Sequence, residues 1–126
     1  MNEYFIDLDC LLKKRHNREA LAIKDFVAAQ ENLRKLNVKL QILKKELITI
    51  KTQTSSISGS YWDVLHKQLL DHHKALTKAK ENFENKKYML IQAIRKRKML
   101  EIIKEKKQKN FLNDIKKSLN KNFPKN

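Results

Sequence analysis

The chain has 126 residues, with 29 Lys and Arg against 14 Asp and Glu, and its formal net charge at pH 7 is +15. It contains one glycine and one proline, while 34% of its residues are charged. The scarcity of helix-breaking residues, combined with many charges, is typical of long helices and coiled coils and argues against a β-sandwich or an α/β domain. A compact bundle of three or four helices is the alternative, but it needs more turns than the sequence offers.

The N-terminal stretch "MNEYFIDLDC" carries the acidic residues Glu3, Asp7 and Asp9. A secretory signal peptide starts with positive charge followed by an apolar run, so we expect no secretion by that route. Cys10 is the single cysteine, which excludes a disulfide scaffold within one chain and fits a reducing compartment. We expect Cys10 to be a small, partly buried residue.

A first helix is predicted from about residue 3 to residue 52. Its apolar residues alternate at spacings of three and four, and only Arg15 and Glu19 interrupt them. This period of 3.5 residues is the heptad pattern of a left-handed coiled coil. The predicted seam residues are Phe5, Leu8, Leu12, Ala22, Phe26, Ala29, Leu33, Leu36, Leu40, Leu43, Leu47 and Ile50.

The middle stretch "TQTSSISGSYWD", residues 52–63, holds the single glycine, Gly59. Ser and Thr side chains compete for backbone hydrogen bonds, and Gly tolerates positive φ, so we expect a chain reversal over about 53–60. "SYWD" matches a capping box, with Ser60 as the N-cap and Asp63 reaching back. One continuous helix that dimerises is the rival interpretation, and the Gly and Ser residues count against it.

A second helix is predicted from about residue 61 to residue 119, followed by a short C-terminal tail with Pro124. Its seam keeps the heptad spacing, although "MLIQAI" and "MLEII" indicate a drift from strict register at the far end. The seam residues are Trp62, Leu65, Leu69, Leu76, Ala79, Phe83, Leu90, Ala93 and Leu100, with His72, Lys86 and Arg97 as polar members. The predicted fold is all-α, a long antiparallel two-helix coiled-coil hairpin, because two amphipathic helices of similar length can bury each other's apolar stripes.

The positive charge lies mostly in the second half. Residues 74–126 carry 17 Lys and Arg against 5 Asp and Glu, whereas residues 1–73 carry 12 against 9. "RKRK" at 95–98 and "KEKKQK" at 104–109 hold most of this excess, which favours an acidic partner. Nucleic acid is one candidate, but the segment lacks the aromatic residues of single-strand binders. A membrane surface is another for "KKYMLIQAIRKRK", although its apolar residues are also needed for the seam.

The sequence gives little support for catalysis or for a metal site. One glycine is too few for a phosphate-binding loop. His66 and His73 share a helix face near Asp63, but a zinc site usually has more ligands at close spacing. We therefore expect a protein that is not an enzyme and has no cofactor.

The stretches "FIDLDCLLKKRHNREALAIKDFVAAQENLRKLNVKLQIL" and "AIRKRKMLEIIKEKKQKNF" resemble the FliJ family of the flagellar type III export apparatus. The resemblance covers nearly the whole chain and rests on the seam spacing, the central break with an aromatic just after it, and the basic end. It implies a cytoplasmic coiled-coil stalk, peripheral to the inner-membrane export apparatus. Its implied partners are the hexameric export ATPase, whose ring assembly it promotes, the cytoplasmic domain of the export gate membrane protein, and export chaperones. The related stalk proteins of injectisomes fit the same pattern.

The resemblance also implies two sets of site residues. In the family the end that bears both termini enters the ATPase ring, and a patch nearer the turn binds the gate. The implied ATPase contacts are Arg95, Lys96, Arg97, Lys98, Lys104, Lys106 and Lys107. The implied gate contacts are Val38, Gln41, Lys45, Gln68, His72 and Ala75. The alternative function is a basic nucleic-acid-binding or general scaffold coiled coil.

Overall fold

The protein forms two long helices that pack against each other in a hairpin. A computed structural model describes the backbone of residues 2–53 and 59–122, and the side chains of 7–51 and 61–121. Helix α1 spans Asn2–Gln53 and helix α2 spans Gly59–Asn122. These ranges contain no strand. The structure thus confirms the predicted all-α two-helix hairpin.

Burial along both helices follows the predicted seven-residue repeat. Every predicted seam residue with a described side chain is buried or half-buried, and Phe5 lies outside the described side chains. The six most buried residues expose between 4% and 8% of their surface, and they are Leu8, Ala29, Leu40, Leu65, Leu76 and Ala79. No polar side chain among the described residues is fully buried. The stability of the hairpin therefore rests on a narrow apolar seam rather than on a broad core.

The chain divides into two compact units. The central unit comprises residues 23–89, and the terminal unit comprises residues 1–22 and 90–126. Within the central unit the rings of Phe26 and Phe83 lie with their centroids 5.1 Å apart. Further along, Nε2 of His72 lies 2.9 Å from the carbonyl oxygen of Leu36 and donates a hydrogen bond to it. Phe26 contacts Phe83, and the later residue Leu36 contacts the earlier residue His72. The two helices therefore run antiparallel.

At the far end of α2 the seam spacing continues, but Gln92, Ile94 and Glu101 are half-buried outside it, in line with the predicted drift. The half-buried positions 97, 100, 104, 107 and 111 continue the alternation of three and four. The stretches "MLIQAI" and "MLEII" predicted the drift because they hold apolar residues outside this alternation. The aliphatic stem of a lysine can cover apolar surface while its ammonium group reaches water, so Lys104 and Lys107 can serve as seam residues.

The structure also corrects two local expectations. Gly59 is the first residue of α2, and no described residue, Gly59 included, has positive φ. Ser60 consequently lies inside the first helical turn rather than at the N-cap. Residues 54–58, where most of the predicted turn falls, and Pro124 lie outside the described residues. Cys10 is exposed rather than partly buried, because it lies between the seam positions Leu8 and Leu12.

Candidate partner-binding surface

Two groups of basic residues in the terminal unit face in different directions. Residues 90–126 carry 12 Lys and Arg against 3 Asp and Glu. Some of these cations point toward α1 and form ion pairs with it, whereas others lie on the opposite face of α2. The distinction decides which cations are available to a partner.

Arg97 is the centre of a charged cluster inside the seam. Its guanidinium binds the carboxylate of Glu19 across the helix interface, and the two side chains are only 19% and 14% exposed. Nη1 of Arg97 also donates to both carboxylate oxygens of Glu101, at 3.0 Å each. The hydrogen bonds to Glu19 and then Glu101 raise the pKa of Arg97 above its ordinary value. Nε2 of His16 lies 3.7 Å from the same Glu101.

This cluster explains a break in the sequence pattern. Glu19 interrupts the apolar seam of α1, and Arg97 interrupts that of α2. The antiparallel pairing places these two interruptions opposite each other, so each charge inside the interface is compensated. Lys104 forms a second cross-helix ion pair, with Asp9. Arg97 and Lys104 are thus structural partners of α1.

A second group of cations lies on the face of α2 directed away from the seam. At about 100° per residue, Arg95, Lys98, Lys106 and Lys109 share one side of the helix. All four are exposed, and within the described residues none of them forms an ion pair. Met99 and Ile102 lie on the same side and are 62% and 53% exposed. We call these six residues the outer basic strip.

The seven candidate ATPase contacts therefore do not form a single surface. Arg95, Lys98 and Lys106 belong to the outer basic strip, and Lys96 is exposed on a flank of the helix. Arg97, Lys104 and Lys107 are half-buried in the seam. The sequence interpretation did not include Met99, Ile102 and Lys109, although their helical spacing to Arg95 and Lys98 was a signal that could have found them.

The six candidate gate contacts are only partly brought together. Gln68, His72 and Ala75 line one shallow groove of the central unit, with Leu43 and Asp71. Lys45 lines a different groove, beside Tyr61 and Ile42. Val38 and Gln41 are exposed on α1. The half-buried His72 is engaged with the Leu36 carbonyl, so its ring is part of the helix interface.

A third groove of the central unit contains His66. Its walls are formed by Leu47, Ile48 and Trp62, with Lys44 and Lys51 at the rim. Among the residues that the structure describes, no three His, Cys, Asp or Glu side chains are placed to hold a metal ion.

Neither helix, over the ranges 2–53 and 59–122, has a segment long and apolar enough to cross a bilayer. No protein-family model, curated protein or solved structure matches the chain.

Proposed function

We propose that the protein is a non-enzymatic stalk or adaptor of a type III protein export ATPase, located in the cytoplasm beside the inner-membrane export apparatus. The observation that carries the proposal is the outer basic strip, a row of exposed cations with two exposed apolar side chains among them. Such a strip on one arm of a coiled-coil hairpin suits a rod that contacts an acidic surface of a larger assembly. The resemblance to the FliJ family implies that this assembly is the hexameric export ATPase.

The composition of the strip favours a protein partner over nucleic acid. Phosphate groups are bound by cations, and apolar side chains add little to contacts with a nucleic-acid backbone. Met99 and Ile102 lie between the cations and expose more than half of their surface. An apolar centre within a polar rim is the usual arrangement of a protein interface, in which Met and Arg are enriched.

The charges of the strip would mainly increase the rate of association with the partner. Exposed cations contribute little to the stability of their own helix. They do accelerate association with an acidic surface, and this contribution decreases as salt increases. The cations paired with Glu19 and Asp9 are already neutralised, so they would contribute less to such an encounter.

The proposal includes a second contact, with the cytoplasmic domain of the export gate. The groove lined by Gln68, His72 and Ala75 is the part of the predicted gate patch that forms a continuous surface. Export chaperones are further partners that the resemblance implies.

A charge-reversal experiment tests the ATPase contact. The triple variant Arg95→Glu, Lys98→Glu and Lys106→Glu changes three exposed residues of the strip. We expect it to keep its helicity but to lose stimulation and ring assembly of the cognate ATPase, measured as ATP hydrolysis at low and moderate salt. The matched control Lys24→Glu, Lys39→Glu and Lys78→Glu makes the same change of net charge at exposed positions of the central unit. If the strip variant stimulates ATP hydrolysis by the ATPase as strongly as the control variant does, the proposal is refuted.

A second variant separates protein recognition from nucleic-acid binding. Met99→Ser with Ile102→Ser removes the apolar centre and leaves every charge in place. We expect this variant to stimulate the ATPase less than the original protein. If the protein instead binds DNA of any sequence, and this binding depends on the number of lysines but not on Met99 and Ile102, the nucleic-acid interpretation replaces the proposed one.

A further inference from the structure

We propose that the outer basic strip binds an amphipathic helix of its protein partner, one whose apolar residues are flanked by Asp and Glu. The inference rests on the proposed function, because it takes the strip as the contact surface, and it adds which structure the partner presents there. Five members of the strip follow one another at spacings of four and three, and they are Arg95, Met99, Ile102, Lys106 and Lys109. At about 100° per residue they fall within an arc of about 80° on α2, and Lys98 borders it. We call these five residues the outer row.

The outer row lies on the side of α2 opposite to the coiled-coil seam. The seam positions 97, 100, 104 and 107 have the same alternating spacing, but they face α1 and are half-buried, whereas the outer row is exposed. The side chains of residues 91–109 are all described, and the row faces away from α1. Its exposure therefore does not depend on which residues of α1 lie across the hairpin.

The shape of this surface favours a helix as the occupant. The outer row lies on the convex face of a single helix, and an extended peptide would need a sheet edge, whereas residues 2–53 and 59–122 contain no strand. Side chains spaced by three and four form a ridge that packs into the grooves of another helix, as the seam does against α1. Ile91 is exposed on the same arc, one turn before Arg95. From Ile91 to Lys109 the face is about 27 Å long, which matches a partner helix of about five turns.

The charge of this face requires acidic residues on the partner. Between positions 91 and 109, five exposed side chains are Lys or Arg and one, Glu105, is acidic. Arg95 lies at the centre of the arc, with Met99 and Ile102 on either side of it. A helix that covers the row removes water from this guanidinium, so a carboxylate of the partner must compensate its charge. The seam of the hairpin has the same arrangement, since Glu19 of α1 compensates Arg97.

The position of Arg95 also argues against a lipid bilayer as the occupant. A helix in a membrane interface presents a continuous apolar arc and keeps its cations on the polar face. Here a cation lies in the middle of the arc, where a bilayer offers no carboxylate to pair with it. Pairing of two strips from two copies of the chain is disfavoured as well, because it would bring like charges together.

Fluorescence anisotropy with two labelled peptides of equal composition tests the inference. The amphipathic peptide has about 20 residues, with leucines at alternating spacings of three and four and glutamates beside them. The permuted peptide contains the same residues in an order that spreads the leucines around the helix. We expect the full chain to bind the amphipathic peptide about tenfold more tightly than the permuted one, because only the former can cover the apolar residues of the row. Binding should weaken as salt increases.

Two variants locate the binding surface. Met99→Ser with Ile102→Ser should weaken binding of the amphipathic peptide about tenfold, since it removes the apolar area of the row and leaves every charge in place. Val64 and Leu70 are 53% and 50% exposed in the central unit, so Val64→Ser with Leu70→Ser is the matched control and should bind like the original protein. Circular dichroism should show that both variants keep their helices.

Equal binding of the two peptides overturns the inference, because charge alone would then account for the contact. Undiminished binding by Met99→Ser with Ile102→Ser overturns it too. If neither peptide binds and the chain instead floats with phosphatidylglycerol vesicles, the strip is a membrane surface and the inference is wrong.

The experiment separates this inference from the proposed function. If the triple variant Arg95→Glu, Lys98→Glu and Lys106→Glu loses ATPase stimulation while the original chain binds both peptides equally, the ATPase contact stands and the helix is refuted. If that variant keeps full stimulation while the original chain selects the amphipathic peptide, the helix stands and the ATPase contact is refuted.

Discussion

Truncation of two leucines of α2 provides a direct test of the seam. Leu76 is 4% exposed, whereas Leu70 is 50% exposed. Both lie in the central unit, on the same helix and six positions apart. Leu76→Ala should therefore destabilise the protein strongly, and Leu70→Ala should serve as its matched control.

The expected difference follows from the burial of the two side chains. Leu→Ala at a buried site typically costs about 2–5 kcal/mol. We expect about 2–3 kcal/mol for Leu76, because the seam is narrow, many of its residues are half-buried, and the resulting cavity can open to water or collapse. Truncation of Leu70 removes a side chain that is already half exposed and leaves no closed cavity, so it should cost about 1 kcal/mol or less. The higher helix propensity of Ala affects both variants equally.

Urea unfolding followed by the fluorescence of Trp62 measures both effects. Trp62 is the single tryptophan, and it is half-buried in the central unit, so its signal reports on the unit that contains both leucines. With a urea dependence of about 1–3 kcal/mol per molar, a loss of about 2–3 kcal/mol in Leu76→Ala should lower the midpoint by about 0.7–3 M. Equal midpoints for the two variants would refute the assignment of Leu76 to the seam.

Two further predictions concern the polar cluster and the start of α2. Glu19→Ala and Arg97→Ala should each destabilise the protein, and the double variant should cost less than the sum, because either single change leaves a charge in the interface without its cross-helix partner. Additive effects in urea unfolding would contradict this coupling. Gly59→Ala should leave stability unchanged or raise it by up to about 1 kcal/mol, because Gly59 has no positive φ and begins a helix. A marked drop in the thermal midpoint would instead support a left-handed turn at Gly59.

The amino-acid pattern was sufficient to predict the two helices and the face that each one buries. Leu40, Leu65 and Leu76 could be assigned to the seam because the spacing of apolar residues along one helix is a local property. The same pattern already placed His72 and Arg97 in the seam. The sequence did not specify the start of α2, because a glycine can either end one element or begin the next.

The contacts of the polar seam residues, and the set of cations that remain available to a partner, depend on how the two helices pair. Glu19 and Arg97 are 78 positions apart, and their pairing depends on the antiparallel register of the two helices. Composition could not show that Lys104 binds Asp9 while Lys106 faces away from α1, since both belong to one basic run. The physical reason is that a local pattern specifies the direction of a side chain relative to its own helix, whereas its partner is specified by the register between two helices.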